Sequence, residues 1–275
     1  MSILITKADG TQEPFAEEKL HASLKKAGAD DTTTAEIVSQ VTRELRPLMR
    51  TSDIYQRAFL LLKNQTPHGI AARYSLRRAI LDFGPTGFPF EAYVAELFRT
   101  EGYEATTNVM AHGRCVVHEI DVLLKKGGHK IFVEAKFHNT PGFKTDLKVV
   151  LYVKARIDDL IAREGPQVSG MVLTNTKFTS SAIEYAHCAG LPLLGWDYPS
   201  TSNLQTMVDA SGLYPITALA SLTKKEKLAL MSQKVVLCNA LPRHADTLRG
   251  LGLKQGRLTA LFEEVGNLCG SQVAV

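Results

Sequence analysis

The stretch Val133-Glu134-Ala135-Lys136-Phe137, with the carboxylate of Asp121 before it, decides how this chain is interpreted. Residues 114–124 and 131–137 are rich in β-branched and apolar residues, which predicts two strands joined by a turn at 126–129. The two strands are expected to pair antiparallel. Because strand side chains alternate, Glu134 and Lys136 share one face and lie about 6.6 Å apart along the strand. That spacing leaves room for a hydrated metal ion and a phosphate oxygen.

The order of these features, an Asp followed by a hairpin and a Glu-x-Lys segment, resembles the core of the PD-(D/E)xK nucleases. Phosphodiester hydrolysis uses hard oxygen ligands for Mg²⁺ or Mn²⁺, and carboxylates are the common choice for Mg²⁺. The resemblance implies that Asp121, Glu134 and the carbonyl of Ala135 bind the metal. It also implies that Lys136 orients or deprotonates the attacking water. A Glu-x-Lys alone is more often a solvated strand face, so the motif depends on its surroundings.

The surroundings strengthen the nuclease interpretation. Residues 90–103 form an amphipathic pattern that ends at a glycine and predict a helix before the hairpin. Residues 172–194 predict strand, helix and strand after it. This order resembles the Mrr-type restriction endonucleases and the archaeal Holliday-junction resolvases, over roughly residues 86 to 198. The resemblance implies that Glu91, on the first helix, helps to bind the metal.

Basic residues follow the motif. Residues 147–161 have apolar positions at helical spacing. Lys144, Lys148, Lys154 and Arg156 either contact the DNA backbone, where phosphate contacts give affinity without sequence information, or form an exposed helix face. The sequence favours neither. His118 alternates away from Asp121 and is expected to be packed, and the single tryptophan, Trp196, is expected in the core.

Residues 1–84 form a separate pattern. Residues 3–15 predict a hairpin with a two-residue turn at Asp9-Gly10. Four predicted helices follow: 16–27, 33–45, 51–63 and 68–81. The second is expected to open with a Thr33-x-x-Glu36 capping box, and the third with capping residues at 51–53.

This N-terminal arrangement resembles the ATP-cone, a nucleotide-binding regulatory module of ribonucleotide reductases and their repressor. The resemblance implies ATP or dATP as effector. Several cations suit a triphosphate, and the candidates are Lys7, Lys19, Arg77 and Arg78. Thr51 and Tyr55 are candidates for ribose or base contacts. Ala8 departs from the family, which usually has an arginine there, and so removes one phosphate donor.

The C-terminal residues 213–275 predict a basic helical domain. Helices are expected over 222–234, where Thr223 is a plausible cap, over 242–249 and over 254–268. The last two are joined by Gly250-Leu251-Gly252-Leu253, which resembles a helix-hairpin-helix. That element binds DNA phosphates through turn amides. Residues 223–257 contain eight Lys or Arg and two acidic residues. The local charge is therefore +6, compared with +4 for the whole chain. The alternative is a helical cap or dimerisation arm.

The whole chain is therefore expected to be an α/β multidomain protein: an ATP-cone at 1–84, a restriction-endonuclease-like α/β core at 86–200, and a C-terminal helical unit. Four scattered cysteines and the absence of a leader or an apolar span predict a cytoplasmic protein. The expected activity is a Mg²⁺-dependent DNA endonuclease, with DNA and a nucleotide effector as partners and a homodimer as its assembly. The alternatives are a non-catalytic, nucleotide-responsive DNA-binding regulator and a nuclease acting on RNA.

Overall fold

The computed structural model describes residues 3–66, 68–84 and 86–269. The chain divides into two compact units. The first comprises the residues up to Ala79, with Tyr214–Lys227 and the residues from Leu237 onward. The second comprises Ile80–Leu213 and Leu228–Val236. The C-terminal part of the chain thus contributes mainly to the unit that contains the N-terminal part.

Helices and strands are numbered in chain order. The elements up to residue 84 are β1 (Leu4–Thr6), β2 (Gln12–Pro14), α1 (Glu17–Lys26), α2 (Asp31–Glu44), β3 (Met49–Arg50), α3 (Thr51–Gln65), α4 (His68–Tyr74) and α5 (Leu76–Leu81). The next are α6 (Phe88–Thr100), β4 (Glu104–His112), β5 (Val117–Lys126), β6 (His129–Lys136), β7 (Lys144–Thr145), α7 (Leu147–Glu164), β8 (Val168–Thr174), β9 (Lys177–Phe178), α8 (Ser180–Cys188) and β10 (Leu193–Leu194). The last are α9 (Leu204–Ser211), α10 (Lys224–Ser232), α11 (Ala245–Gly250) and α12 (Gln255–Cys269), with short 3-10 helices at Ile216–Ala218 and Cys238–His244.

The N-terminal sheet has three strands in the order β2-β1-β3. The predicted hairpin is present, and its connection is the three-residue turn at 8–10, closed by a hydrogen bond from the Lys7 amide to the Thr11 carbonyl at 2.8 Å. Asp9 and Gly10 lie in this turn, as predicted, with Gly10 at φ +83°, but the predicted length of two residues is wrong. Strand β3, which pairs parallel with β1, was not predicted, since two residues are too few to show a period.

Helix starts in this region differ from the predicted ones. Asp30 caps α2 by accepting a hydrogen bond from the Thr33 amide at 2.7 Å, so the capping box predicted at Thr33 is wrong. Helix α3 begins directly after β3, and its N-cap residue, Arg50, makes no side-chain cap. The helix predicted over 68–81 is two helices, α4 and α5.

The central sheet has five strands in the order β10-β8-β6-β5-β4. Strands β4, β5 and β6 are an antiparallel meander, and β8 and β10 extend it in parallel. Gly127 and Gly128, at φ +58° and +80°, form the β5–β6 turn, as predicted, because a two-residue hairpin turn favours positive φ at both positions. The edge strand β4 was not predicted. The mixed α/β fold class is confirmed.

Helix α7 covers one face of this sheet. Val150, Val153, Ile157 and Leu160 of α7 pack into a core with Phe132 of β6. Strand β8 passes so close beneath the helix that a Cβ added at Gly170 would lie 2.3 Å from Ile157 Cγ1. Trp196 is buried, as predicted.

The C-terminal helices have well-defined ends. Thr223 caps α10: its hydroxyl accepts from the Glu226 amide, and the Glu226 carboxylate accepts from the Thr223 amide. After α11 the amides of Leu251, Gly252 and Leu253 donate to carbonyls of the same helix. These turn amides close the helix end, so the phosphate contact expected from the helix-hairpin-helix resemblance is wrong for them. No helix in the described parts of the chain is long and apolar enough to span a membrane.

Candidate active site

The site begins where strands β5 and β6 separate. Their antiparallel ladder runs from the turn to the pair Val122–Val133 and ends there. The next residues along the two strands are Asp121 and Glu134. In place of a ladder bond, the Asp121 carboxylate accepts a hydrogen bond from the Ala135 amide at 2.7 Å. The Asp and the Glu-x-Lys segment are thus joined directly at the point of separation.

A break on the other side of β5 also lies at Asp121. The β4–β5 ladder pairs Thr107 with Val122 and Val109 with Ile120, but Asn108 and Asp121 do not pair. Asn108 has a left-handed backbone, at φ +55°, which Asn tolerates better than most residues. Irregularities of this kind redirect strand side chains and recur beside active sites.

Glu134 and Lys136 share a face of β6, as the alternation predicts. Lys136 Nζ lies 2.5 Å from Glu134 Oε1. Glu134 is buried, whereas the Lys136 side chain keeps about a third of its surface exposed. The lysine therefore holds the carboxylate from a position that is partly open to solvent.

Arg156 is the residue of this site whose role the sequence did not show. Its guanidinium contacts both Glu134 Oε2 and the carbonyl of Glu119, and the residue is buried. Both expectations for Arg156, a DNA contact and an exposed helix face, are wrong. The signal was present in the pattern: position 156 lies between the buried positions 153, 157 and 160 on one face of α7.

The other basic residues near the motif divide into two groups. Lys154 pairs with Asp158 at 2.6 Å on the same helix. Lys144 and Lys148 are exposed, and neither forms an ion pair with a described residue. His118 is half-buried and lies 2.8 Å from the Asp159 carboxylate, so it is held by a polar contact.

Glu91 of α6 completes the acidic side of the site. Its Oε2 is buried and accepts no hydrogen bond from the described residues. Burial first, and then the charges of Asp121, Glu119 and Glu134, raise the pKa of Glu91 to about 7. Burial and the charge of Glu134 likewise raise the pKa of Asp121 to about 6. Carboxylates held this close destabilise one another's charged forms, and a cation relieves that repulsion.

These donors fit a divalent cation. Two carboxylates and a backbone carbonyl are hard oxygen ligands of the kind Mg²⁺ prefers, and the unsatisfied Glu91 oxygen is a further acceptor. Within the described residues, no three His, Cys, Asp or Glu side chains are clustered so as to hold a metal by themselves. Both oxygens of Glu134 are already paired, with Lys136 and with Arg156, so a metal ion at this site would share that carboxylate with the two cations.

The segment that follows Lys136 is anchored by a buried amide. Asn175 Oδ1 accepts from the His138 amide and Asn175 Nδ2 donates to the His138 carbonyl, both at 2.8 Å. His138 Nε2 also lies 3.0 Å from Thr145 Oγ1. Burial and the charge of Lys136 lower the pKa of His138. A reciprocal pair of this kind fixes the course of the chain beyond the lysine.

In the first unit, the residues expected to bind nucleotide lie on several elements. Lys7 and Lys19 converge on Glu13, at 2.7 and 3.1 Å. Tyr55 stacks on Tyr74, with ring centroids 5.1 Å apart. Thr51 is the first residue of α3, and Arg77 and Arg78 lie on α5.

Comparison with known proteins follows the same division of the chain. Residues 3–82 match the ATP cone domain, residues 85–197 the restriction endonuclease family, and residues 214–269 the AF1548-like C-terminal family. An uncharacterized protein of Archaeoglobus fulgidus (strain ATCC 49558) is 34% identical over 178 residues, which are 64% of this chain and 100% of that protein. The crystal structure of AF1548, a protein of unknown function, is 32% identical, with a TM-score of 0.57 over 68% of this chain and 100% of that one.

This chain belongs to the AF1548-like family. It carries an ATP-cone domain and a restriction endonuclease domain, which confirms both resemblances found in the sequence. The restriction endonuclease domain supports a nuclease. A repair endonuclease from Pyrococcus abyssi is also similar, at 20% identity and a TM-score of 0.33 over 40% of this chain and 46% of that one.

Proposed function

We propose that this AF1548-like protein is a metal-dependent DNA endonuclease whose ATP-cone binds ATP or dATP as an effector. One observation carries the nuclease proposal: Asp121 and the Glu-x-Lys segment meet where β5 and β6 separate, and Asp121 accepts from the Ala135 amide. A buried cluster of carboxylates beside two cations has little use in a structural core, because buried charges are costly. In a phosphodiesterase, the same cluster would bind the metal ion and position the attacking water.

Each residue of the site then has a role. Asp121, Glu134 and the carbonyl of Ala135 would hold Mg²⁺ or Mn²⁺, which supplies Lewis-acid polarisation of the phosphate and a lowered pKa for bound water. Lys136, in contact with Glu134 and partly exposed, orients the attacking water and stabilises charge at the phosphorus. Arg156 holds Glu134 in place from α7. Glu91, whose buried Oε2 accepts no hydrogen bond from the described residues, would help to hold the metal from α6.

The nucleotide proposal rests on the ATP-cone match and on its cations. Lys7 and Lys19 meet at a shared carboxylate, Glu13, so their amines are close enough to bind neighbouring phosphates. Arg77 and Arg78 would add charge, with Thr51 and Tyr55 at ribose or base. The missing arginine at Ala8 predicts weaker binding than in an ATP-cone that has it.

Cleavage of supercoiled plasmid tests the nuclease. Wild type with Mg²⁺ or Mn²⁺ should nick or linearise the circle, and EDTA should stop it. Asp121→Asn should show no cutting, and Lys136→Met should cut about 10²–10⁴-fold more slowly, the usual contribution of a positioned acid–base group. Asp158→Asn, which changes an exposed carboxylate on α7, is the matched control and should cut like wild type.

The same assay separates the alternatives. If wild type binds DNA with metal present but cuts neither plasmid nor a four-way junction, the endonuclease proposal fails and a DNA-binding regulator takes its place. If the protein cuts RNA but no DNA, the proposed substrate changes from DNA to RNA. The homodimer stays a prediction, and sedimentation of the full chain measures it directly.

A further inference from the structure

Among the described residues, the exposed aromatic side chains lie on segments that also carry residues of the candidate active site. The chain has 11 Phe, eight Tyr and one Trp. Over residues 3–66, 68–84 and 86–269, only Phe88, Phe143 and Tyr152 are exposed, at 61, 56 and 60%. Scattered single exposures are ordinary in soluble proteins. Three in the same neighbourhood require a reason.

Two of the three contact side chains that lie at or directly beyond the candidate active site. The Phe143 ring lies 4.5 Å from the ring of His138, two residues beyond Lys136. The Tyr152 ring lies 5.3 Å from the guanidinium carbon of Arg156, which contacts Glu134.

Phe88 reaches the site from helix α6. It begins that helix, three residues before Glu91, and helical residues at this spacing share a face. Phe88 therefore lies on the Glu91 side of the site, and Phe143 and Tyr152 lie on the Lys136 side.

Exposed cations lie between the aromatics on the Lys136 side. Lys144 follows Phe143 directly. Lys148 precedes Tyr152 by four residues on α7, which places the two side chains on the same face. Both lysines are exposed. Proteins hold single-stranded nucleic acid with lysines and open aromatic rings placed together, because the cations follow the phosphates and the rings stack on bases.

We propose that Phe88, Phe143 and Tyr152 form a collar that stacks unpaired bases on both sides of the scissile phosphate. The proposal rests on the nuclease function above and names its substrate class: single-stranded or locally unpaired DNA, in preference to intact duplex. In a duplex the faces of the bases are covered by their neighbours, and aromatic rings beside the phosphate have nothing to stack on. A strand with unpaired bases offers those faces.

Binding in EDTA tests the collar without depending on cleavage. Fluorescence anisotropy would compare a labelled dT 20-mer with a labelled duplex of equal length. Wild type should prefer the single strand. Each of Phe88→Ala, Phe143→Ala and Tyr152→Ala should weaken binding to it roughly 5- to 150-fold, because stacking on one aromatic contributes about 1–3 kcal/mol and 1.4 kcal/mol is tenfold. Met110→Ala, at an exposed apolar residue of β4, is the control and should bind like wild type.

Two further readouts separate stacking from loss of fold or of charge. The aromatic variants should keep the salt dependence of wild type, whereas Lys148→Ala should reduce its slope, because only phosphate contacts release counterions. In Tyr152→Trp, addition of the dT 20-mer should quench the indole fluorescence above the background of the buried Trp196. Unchanged Trp196 emission in the alanine variants shows that the second unit is folded.

Failure of the collar and failure of the nuclease are distinguishable. If the folded alanine variants bind the single strand like wild type, or if wild type binds duplex equally well, the collar is overturned even when plasmid is cut. If the aromatics determine single-strand binding but no substrate is cleaved under any metal, the collar stands and the nuclease proposal fails.

Discussion

At the scale of single residues, the site consists of charges that offset one another only in part. Glu134 has two cationic partners, Lys136 and Arg156. Glu91 has a buried oxygen with no donor among the described residues. The pKa values of Glu91 and Asp121 are raised to about 7 and about 6. The metal-free site is therefore short of positive charge on its Glu91 side, which predicts a pH dependence of stability.

Glu91→Gln should stabilise the metal-free protein at high pH only. Both raised pKa values mean that the folded state binds more protons than the unfolded chain between about pH 4 and pH 7, so stability falls as pH rises through that window. Removing the Glu91 charge should raise the free energy of unfolding at pH 8 by on the order of 1–2 kcal/mol, with little change at pH 4. Urea unfolding in EDTA, followed by Trp196 fluorescence, measures this.

Glu104→Gln, at an exposed residue of β4, is the control for that experiment. An equal gain for Glu91→Gln at both pH values would mean that the buried charge is not the cause. Mg²⁺ added at pH 8 should stabilise wild type, since a ligand of the folded state shifts the unfolding equilibrium.

Arg156→Met should destabilise the second unit by about 3 kcal/mol, because removing one partner of a buried ion pair leaves a buried charge uncompensated. Adding Glu134→Gln to that variant should restore part of the loss, since the carboxylate is then neutral. A double-mutant cycle in urea measures the coupling. Strict additivity of the two changes would show that the contact has no energetic role.

At the scale of elements, irregular strands and a close helix position these residues. The β5–β6 ladder stops one residue before Asp121, and the β4–β5 ladder skips it. Helix α7 crosses the sheet with Ile157 against Gly170, and this approach brings Arg156, one residue earlier, to Glu134. The distance between α7 and β8 thus determines whether the ion pair can form.

Gly170→Ala should destabilise the second unit by about 1–3 kcal/mol, the usual cost of overpacking a core. The new methyl would lie 2.3 Å from Ile157 Cγ1, so α7 must move or Ile157 must change rotamer. Urea unfolding followed by Trp196, in the same unit, reports the effect. A neutral Gly170→Ala would show that α7 is more loosely packed than the structure describes.

At the scale of the whole molecule, the first unit is assembled from distant parts of the chain. Helix α12 packs against α4 closely enough that a Cβ on Gly69 would lie 2.8 Å from the Asn267 carbonyl oxygen. Glu264 of α12 accepts from the amides of Ala220 and Ser221. The C-terminal segment is therefore part of the unit that holds the candidate nucleotide residues.

Deleting residues 237–275 should lower the melting temperature of the ATP-cone, because the buried face of α4 loses its covering. Differential scanning calorimetry with and without ATP would follow that transition. Gly256→Ala, at an open position of α12, should leave it unchanged. An unaltered ATP-cone transition in the truncated protein would contradict the shared packing.

The double variant Lys7→Ala/Lys19→Ala should weaken ATP binding about 10- to 100-fold or more, since one hydrogen bond to a charged group contributes about 1.5–3 kcal/mol. Titration calorimetry measures it, with Lys63→Ala on α3 as the control. Plasmid cleavage with ATP or dATP then reports on regulation: a nucleotide response in wild type that the double variant lacks supports the effector role. Identical rates in all nucleotide conditions would oppose it.

The sequence by itself determined the features that depend on local patterns: the Asp and Glu-x-Lys residues, the two-glycine turn, the Thr223 cap and the buried Trp196. Alternation within one strand was enough to bring Glu134 and Lys136 together. Only the tertiary structure showed the role of Arg156, the strand β4 and the ladder breaks at Asp121. It alone also showed that the N-terminal and C-terminal parts of the chain join in one unit. Each of these depends on contacts between residues far apart in the chain, such as Asp121 with Ala135 or Gly69 with Asn267, and no local period records such contacts.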